Sequence, residues 1–296
     1  MLNLRQSTTF RCGFTVLQQG HGQTNAKPLP ARDAASWLQR GERFFRLLRL
    51  RQTIRQSLVL HNATYTNCAP APLLVRALCG PDRGRLRKPA NLDILLLHNR
   101  SQKTILERSL EYVGIRDYAV VAPALPRGVW RNTYKLPAAL RFAKASTSEY
   151  ILYIDADDAI LLGDPARAIA SLEASGRDCL FSTTRYRDYG FMPDVEPVFL
   201  AEAKQAGWKD SANIHLNSGV FVARRTFLIE FLEAACTFVT DDDASWREYS
   251  RQSGKGRVKN PQFPLGCGSD QAIFRFLFPR FRSQIALDYE QKLAFR

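Results

Sequence analysis

The rhythm of apolar and polar positions changes sharply at Asn91 of this 296-residue chain. Directly after it, the run LDILLLH at 92–98 fits a strand buried on both faces. Residues 101–113 follow with helical spacing, Ser101 offering a cap and Glu107, Arg108 and Glu111 a polar face. A second short strand is expected at 118–122, a helix at 133–144 with Pro137 in its first turn, and a third strand, YILYI, at 150–154. Strand, helix, strand, helix, strand predicts a Rossmann-like, mainly parallel sheet with helices on its faces. Beyond it the pattern predicts helices at 164–174, 226–238 and 269–278 and strands at 179–182, 219–223 and 283–287. The polar, glycine-bearing stretch 241–259 reads as a loop.

Before Asn91 the chain behaves differently. Residues 1–34 lack periodicity and hold Gly20, Gly22, Pro28 and Pro30, so a poorly structured lead-in is expected. Residues 35–59 carry Trp37, Phe44, Leu47, Ile54 and Leu58 at three- and four-residue spacing, with Arg40, Arg43, Arg46, Arg49, Arg51 and Arg55 between them. That is the pattern of a basic amphipathic helix. Residues 66–90 are proline-rich and end in a basic run, which reads as a linker. The expected organisation is an N-terminal extension, 1–90, and an α/β domain, 91–296.

Composition narrows the classes. The apolar fraction of 45% is that of an ordinary globular chain. The net charge of +14 favours acidic partners: phosphorylated substrates, anionic lipid or nucleic acid. Nucleic acid is not expected, because no stacked aromatics in a glycine-rich strand accompany the charge. The cysteines at 12, 68, 79, 179, 236 and 267 form no CxxC, which excludes zinc-site spacing and leaves reduced thiols or a Cys68–Cys79 bridge. With no charge-free apolar stretch of about 18 residues and no apolar run at the N-terminus, a cytoplasmic chain is expected. The basic helix offers it peripheral contact with a membrane surface.

Three motifs carry chemistry. In YILYIDADDAIL, 150–161, an apolar strand runs into Asp155, Asp157 and Asp158. Ligands of open parallel sheets bind at the carboxyl ends of strands, and clustered carboxylates that stay ionised favour a cation. Such an ion would bridge a diphosphate, and local pattern alone leaves phosphatases and two-metal polymerases open. In HLNSGVFVAR, 215–224, Asn217, Ser218 and Gly219 form a small polar turn before an apolar strand. In GCGSDQAIFRFLF, 266–278, Ser269 suits an N-cap and Asp270 and Gln271 open the helix.

In this order and spacing, the set resembles the A-type-fold glycosyltransferases, and most nearly the glycosyltransferase domain of procollagen lysyl hydroxylases and related collagen-type glucosyltransferases. The likeness spans about residues 91–290 and extends to NTYKLPAALRFAK, where Lys135 opens the helix before the aspartate strand. It implies a nucleotide-diphospho-sugar donor, a UDP-sugar in that group, and a hydroxyl-bearing acceptor. Asp155 with Asp157, or Asp155 with Asp158, would hold Mn²⁺ or Mg²⁺ and the donor's ribose–diphosphate. Asn217, Ser218 and Gly219 match the segment lining the donor sugar, and Asp270 and Gln271 the pair near the acceptor. His98, Asn99 and Arg100 end the strand that touches the nucleotide, and Lys135 adds positive charge near the diphosphate.

One feature departs from that group, whose metal site is completed by a histidine after the last strand. The only histidines here are 21, 61, 98 and 215. The third ligand is then water, Asp288, or a group beyond Arg296. Two other classes stand beside sugar transfer: an aspartate-nucleophile phosphohydrolase with Asp155 attacking and Asp157 as acid/base, and a non-enzymatic basic protein.

Overall fold

The computed structural model describes residues 34–80, 85–126, 128, 130–185, 195–209, 213–239 and 269–296. The expected lead-in before residue 34 and the expected loop at 241–259 lie outside the described residues. In chain order the first elements are α1 (Ala34–Arg49), α2 (Arg51–Ile54), β1 (Val59–His61), α3 (Ala63–Thr66), α4 (Ala71–Cys79), β2 (Leu92–Leu97), α5 (Ile105–Tyr112) and β3 (Ala119–Val121). Then come α6 (Lys135–Ala145), β4 (Tyr150–Ile154), β5 (Ala159–Leu161), α7 (Ala166–Ser175), β6 (Cys179–Thr184), α8 (Glu196–Gln205) and β7 (His215–Arg224). After them follow α9 (Arg225–Cys236), α10 (Asp270–Phe281), β8 (Ile285–Asp288) and β9 (Ala294–Phe295).

The main sheet has six strands in the order β3-β2-β4-β7-β6-β8. β2 pairs in parallel with β3 and β4, and β6 with β8, while β7 is antiparallel to both its neighbours. Five strands therefore run one way and β7 alone the other, a mixed α/β sheet that is mainly parallel. Its faces explain the unbroken apolar runs. Leu92, Ile94 and Leu96 of β2 enter one core while Leu95 and Leu97 enter the other. Tyr150, Leu152 and Ile154 of β4 alternate in the same way with Ile151 and Tyr153.

The N-terminal region corrects two expectations. The helix expected over 35–59 stops at Arg49, and after one turn of α2 the chain enters β1. There, spacing that suited either a helix or a strand is decided by partners. β1 pairs with β5 and β9 in a second, three-stranded sheet, and the Val59 amide donates to the Leu293 carbonyl at 3.0 Å. The linker expected over 66–90 contains α4, whose Pro72 sits in the first turn, where its missing N–H costs nothing. Leu74, Val75 and Leu78 of α4 join Leu47, Ile54 and Leu60 in the core that also holds Leu92 and Ile94. Residues 47–78 and the main sheet thus share one core.

Smaller boundaries move for local reasons. α5 is capped by Thr104 rather than Ser101, because Thr104 and Glu107 form a reciprocal capping box. Among the described residues no helix is long and apolar enough to cross a membrane. Cys68, Cys79, Cys179 and Cys236 form no disulfide.

Candidate active site

β2 and β4 run in the same direction, so their carboxyl ends, Leu97 and Ile154, lie at one edge of the sheet. The next residues, His98 to Arg100 and Asp155 to Asp158, line a cleft of about 820 Å³ at that edge. β7 runs the opposite way and therefore delivers its amino-terminal half, Asn217 and Ser218, to the same cleft. The turn expected at 217–219 lies within β7. Phe221 pairs with Phe181 and Asn217 with Ser182, so residues 218–220 bulge from the ladder. The start of α10 closes the cleft with Ser269, Asp270 and Gln271.

The three aspartates divide in two. Asp157 turns outward to Arg100, Nη2 to Oδ2 2.6 Å, with both side chains more than half exposed. Asp155 and Asp158 turn inward to a residue that carried no expected role, His61. Its Nε2 lies 3.2 Å from Asp158 Oδ1 and 3.7 Å from Asp155 Oδ2. The β1–β5 register sets this approach. His61 stands opposite Ala159, and the Asn62 amide donates to the Asp158 carbonyl at 3.0 Å. Ligand atoms of His61, Asp155 and Asp158 all lie within 4.8 Å of one another. One imidazole nitrogen and two carboxylate oxygens form a donor set suited to Mn²⁺, Mg²⁺ or a related divalent ion.

Gly219 makes this convergence sterically feasible. A Cβ built there would stand 2.6 Å from Asp155 Oδ2 and 2.8 Å from His61 Nε2, and would overlap His61 Cε1 more closely still. Its carbonyl accepts from the Asp155 amide at 2.7 Å. Glycine is thus required here for close approach of protein to protein.

Behind the trio, Lys135 at the start of α6 is buried between two carboxylates. Nζ is 3.1 Å from Asp155 Oδ1 and 2.8 Å from Asp270 Oδ2. Tyr153 donates its hydroxyl to Asp155 Oδ1 at 2.6 Å. Burial by itself would depress the Lys135 ammonium, but Asp155 and Asp270 outweigh it and raise the group well above its ordinary value. Burial pushes the Asp155 carboxyl up, and Lys135, His61 and Tyr153 together bring it below its ordinary value. Asp155 is therefore a carboxylate at neutral pH.

Gln271 and Asn217, expected in separate groups, are hydrogen-bonded to one another on the cleft wall. Gln271 Oε1 accepts from Asn217 Nδ2 at 2.7 Å and from the Ser218 amide at 3.3 Å, fixing the bulge of β7 onto α10. Asn217 Oδ1 in turn accepts from the Ser182 hydroxyl at 3.1 Å and the Gly219 amide at 3.2 Å. Asn99 and Trp130 also line the cleft. His98 also lines it, with Nδ1 accepting from the Arg100 amide at 3.1 Å and Nε2 lying 3.3 Å from Glu107 Oε2. That ring orders the strand end.

Asp288, a possible third ligand by sequence, and the histidine His215 both belong elsewhere. Asp288 accepts from the amides of Lys292, Leu293 and Ala294, which makes it the cap of the turn into β9 and places it outside the carboxylate trio. His215 pairs with Glu196 at 2.7 Å and packs on Phe199. His61 lies in VLHN, 59–62, between the expected helix and the expected linker and far in sequence from the aspartates, so the sequence pattern gives it no role. A histidine after an apolar triplet, followed by the helix-capping Asn62, was the only available signal. No protein-family model matches this chain, and no curated protein matches it.

Proposed function

We propose that the chain transfers a sugar from a nucleotide-diphospho-sugar, a UDP-sugar by the motif resemblance, to a hydroxyl acceptor. One observation supports this above the rest. His61, the Asp155–Asp158 pair, Lys135, Asn217 and Asp270–Gln271, drawn from separate parts of the chain, line one cleft of about 820 Å³. A cleft of that order accommodates a drug-sized or nucleotide-sized ligand. His61, on a strand ahead of the sheet, supports the reading by offering a histidine where the resembled group has one after the last strand.

Mn²⁺ or Mg²⁺ held by His61, Asp155 and Asp158 would supply Lewis-acid stabilisation of the departing diphosphate. The chain's own groups do the remaining work. Lys135 keeps a fixed positive charge beside Asp155, and its ion pair with Asp270 ties α10 to the aspartate loop. Asp270 Oδ1 accepts from the Gln271 amide at 2.8 Å while Oδ2 meets Lys135. With both oxygens engaged, Asp270 is better suited to orient substrate than to take a proton. Asn217 and Ser218 present hydrogen-bonding groups to sugar hydroxyls, and Gln271 locks their positions. An aspartate-nucleophile hydrolase would need Asp157 beside the reacting phosphoryl group, whereas Asp157 is engaged by Arg100 at the exposed rim.

The direct test is incubation with Mn²⁺ and a panel of nucleotide-sugars, following nucleotide release and melting temperature. Turnover of a UDP-sugar, with a rise in melting temperature, is expected. If no nucleotide-sugar is consumed or stabilises the protein, the proposal fails.

A further inference from the structure

The positive charge of this chain is not spread evenly. Residues 34–117 carry 15 of the basic and six of the acidic side chains, which places nine of the 14 excess positive charges in that stretch. From residue 118 to the end, basic and acidic residues nearly balance, 23 against 21. An asymmetry of this size points to an acidic partner met by one region of the protein.

Within that region α1 has two distinct faces. Leu47 is buried, and Phe44 and Leu50 pack on the core beside it. On the opposite side Leu38 and Phe45 are 73% and 66% exposed, the two most exposed large apolar side chains among the described residues. They lie seven positions apart, about two helical turns, and so share one stripe. Arg46 and Arg49 are exposed on that side, within about 100° of the stripe around the helix. Folding has therefore left two large apolar side chains in water beside two exposed arginines. A polyanion in solution would use the arginines and have no use for Leu38 and Phe45. The surface that uses both is an anionic bilayer, where apolar side chains enter the headgroup boundary and arginines stay at the phosphates.

We infer that α1 docks the protein on anionic membrane through Leu38 and Phe45, with Arg46 and Arg49 on the lipid phosphates. α1 packs against α3, and Ala63 at the start of α3 lines the catalytic cleft. Docking would thus hold one cleft wall close to the membrane surface.

Co-sedimentation of the full chain with vesicles tests this, comparing phosphatidylcholine alone with phosphatidylcholine containing phosphatidylglycerol. Binding is expected to the anionic vesicles only, and to weaken between about 0.1 M and about 1 M salt. The L38S/F45S variant changes only exposed positions and should melt like the wild type while binding about tenfold or more weakly. The R46Q/R49Q variant should lose about fivefold per arginine. Three results would overturn the inference. They are no binding to anionic vesicles, undiminished binding by L38S/F45S, or release from vesicles by a single-stranded oligonucleotide that L38S/F45S binds as tightly as the wild type does. The last would identify the surface as a nucleic-acid site.

Discussion

Gly219→Ala is the smallest change that strikes the centre of the site. The added methyl group would stand 2.6 Å from Asp155 Oδ2 and 2.8 Å from His61 Nε2. Ordinary contact distances between such atoms are about 3.5 Å or more, so the neighbours must yield by about an ångström. None yields cheaply. β7 is held on both sides, by β4 and by β6, and His61 is 2% exposed within β1. Overpacking of this kind costs about 1–3 kcal/mol, and the upper part of that range is expected here. The same displacement drives His61 away from Asp155 and Asp158, so Mn²⁺ affinity should fall by about 10- to 100-fold or more. Urea unfolding gives the first quantity, and titration of free Mn²⁺ by electron paramagnetic resonance gives the second. His61→Ala removes the ring that the new methyl group would strike. H61A/G219A should therefore be more stable than the sum of the two single losses, yet still bind Mn²⁺ weakly. Wild-type stability and Mn²⁺ affinity in G219A, or strictly additive losses in the double variant, would refute the reasoning.

Other outcomes follow from the same geometry. D158N should abolish Mn²⁺ binding, whereas D157N, which loses only a rim ion pair with Arg100, should keep Mn²⁺ affinity within a few-fold of wild type by the same titration. Q271A frees Asn217 and the bulge of β7, and should raise KM for the donor sugar more than it alters melting temperature, read by steady-state kinetics and thermal melts. Asp155 is held below its ordinary carboxyl value, so near pH 4 this one group binds less proton in the folded chain than in the unfolded chain. The stability it contributes at neutral pH is lost as pH falls through its folded value. Thermal melts from neutral pH downward should therefore fall more steeply for wild type than for D155N.

The parts of the fold legible in the sequence were those with one strong signal. LDILLLH and YILYI are apolar on both sides of the pleat because both faces of β2 and β4 are covered, and few other structures tolerate such runs. Strand β7 was cut short because Asn217, Ser218 and Gly219 look like a turn. Only its tertiary position, antiparallel between β4 and β6, makes a polar bulge there part of a strand. Helices α4 and α8 were missed for a shared reason. Pro72 and Pro197 sit in their first turns, where proline starts a helix, yet in a bare sequence they read as breakers. The capping box Thr104–Glu107 was written in the sequence, and Ser101 merely stood closer to the strand.

The site divides along the same line. Asp155, Asp158, Lys135, Asn217, Asp270 and Gln271 follow recognisable local patterns, and the structure gathers them in one cleft. Local pattern could not choose between Asp157 and Asp158, because that choice depends on which carboxylate faces His61 and which faces Arg100. His61 itself was invisible for a topological reason. The strand that carries it pairs with Ala159–Leu161 and Ala294–Phe295, partners about 100 and more than 230 residues away.

The measurement that tests the central claim most directly is calorimetric titration of UDP into the protein with and without Mn²⁺, on wild type and H61A. If His61, Asp155 and Asp158 hold an ion that meets the diphosphate, Mn²⁺ should tighten UDP binding to wild type by about 5- to 150-fold, a coupling of about 1–3 kcal/mol. H61A should lose most of that gain. UDP that fails to bind, or binds equally with and without Mn²⁺ in both proteins, would contradict the account.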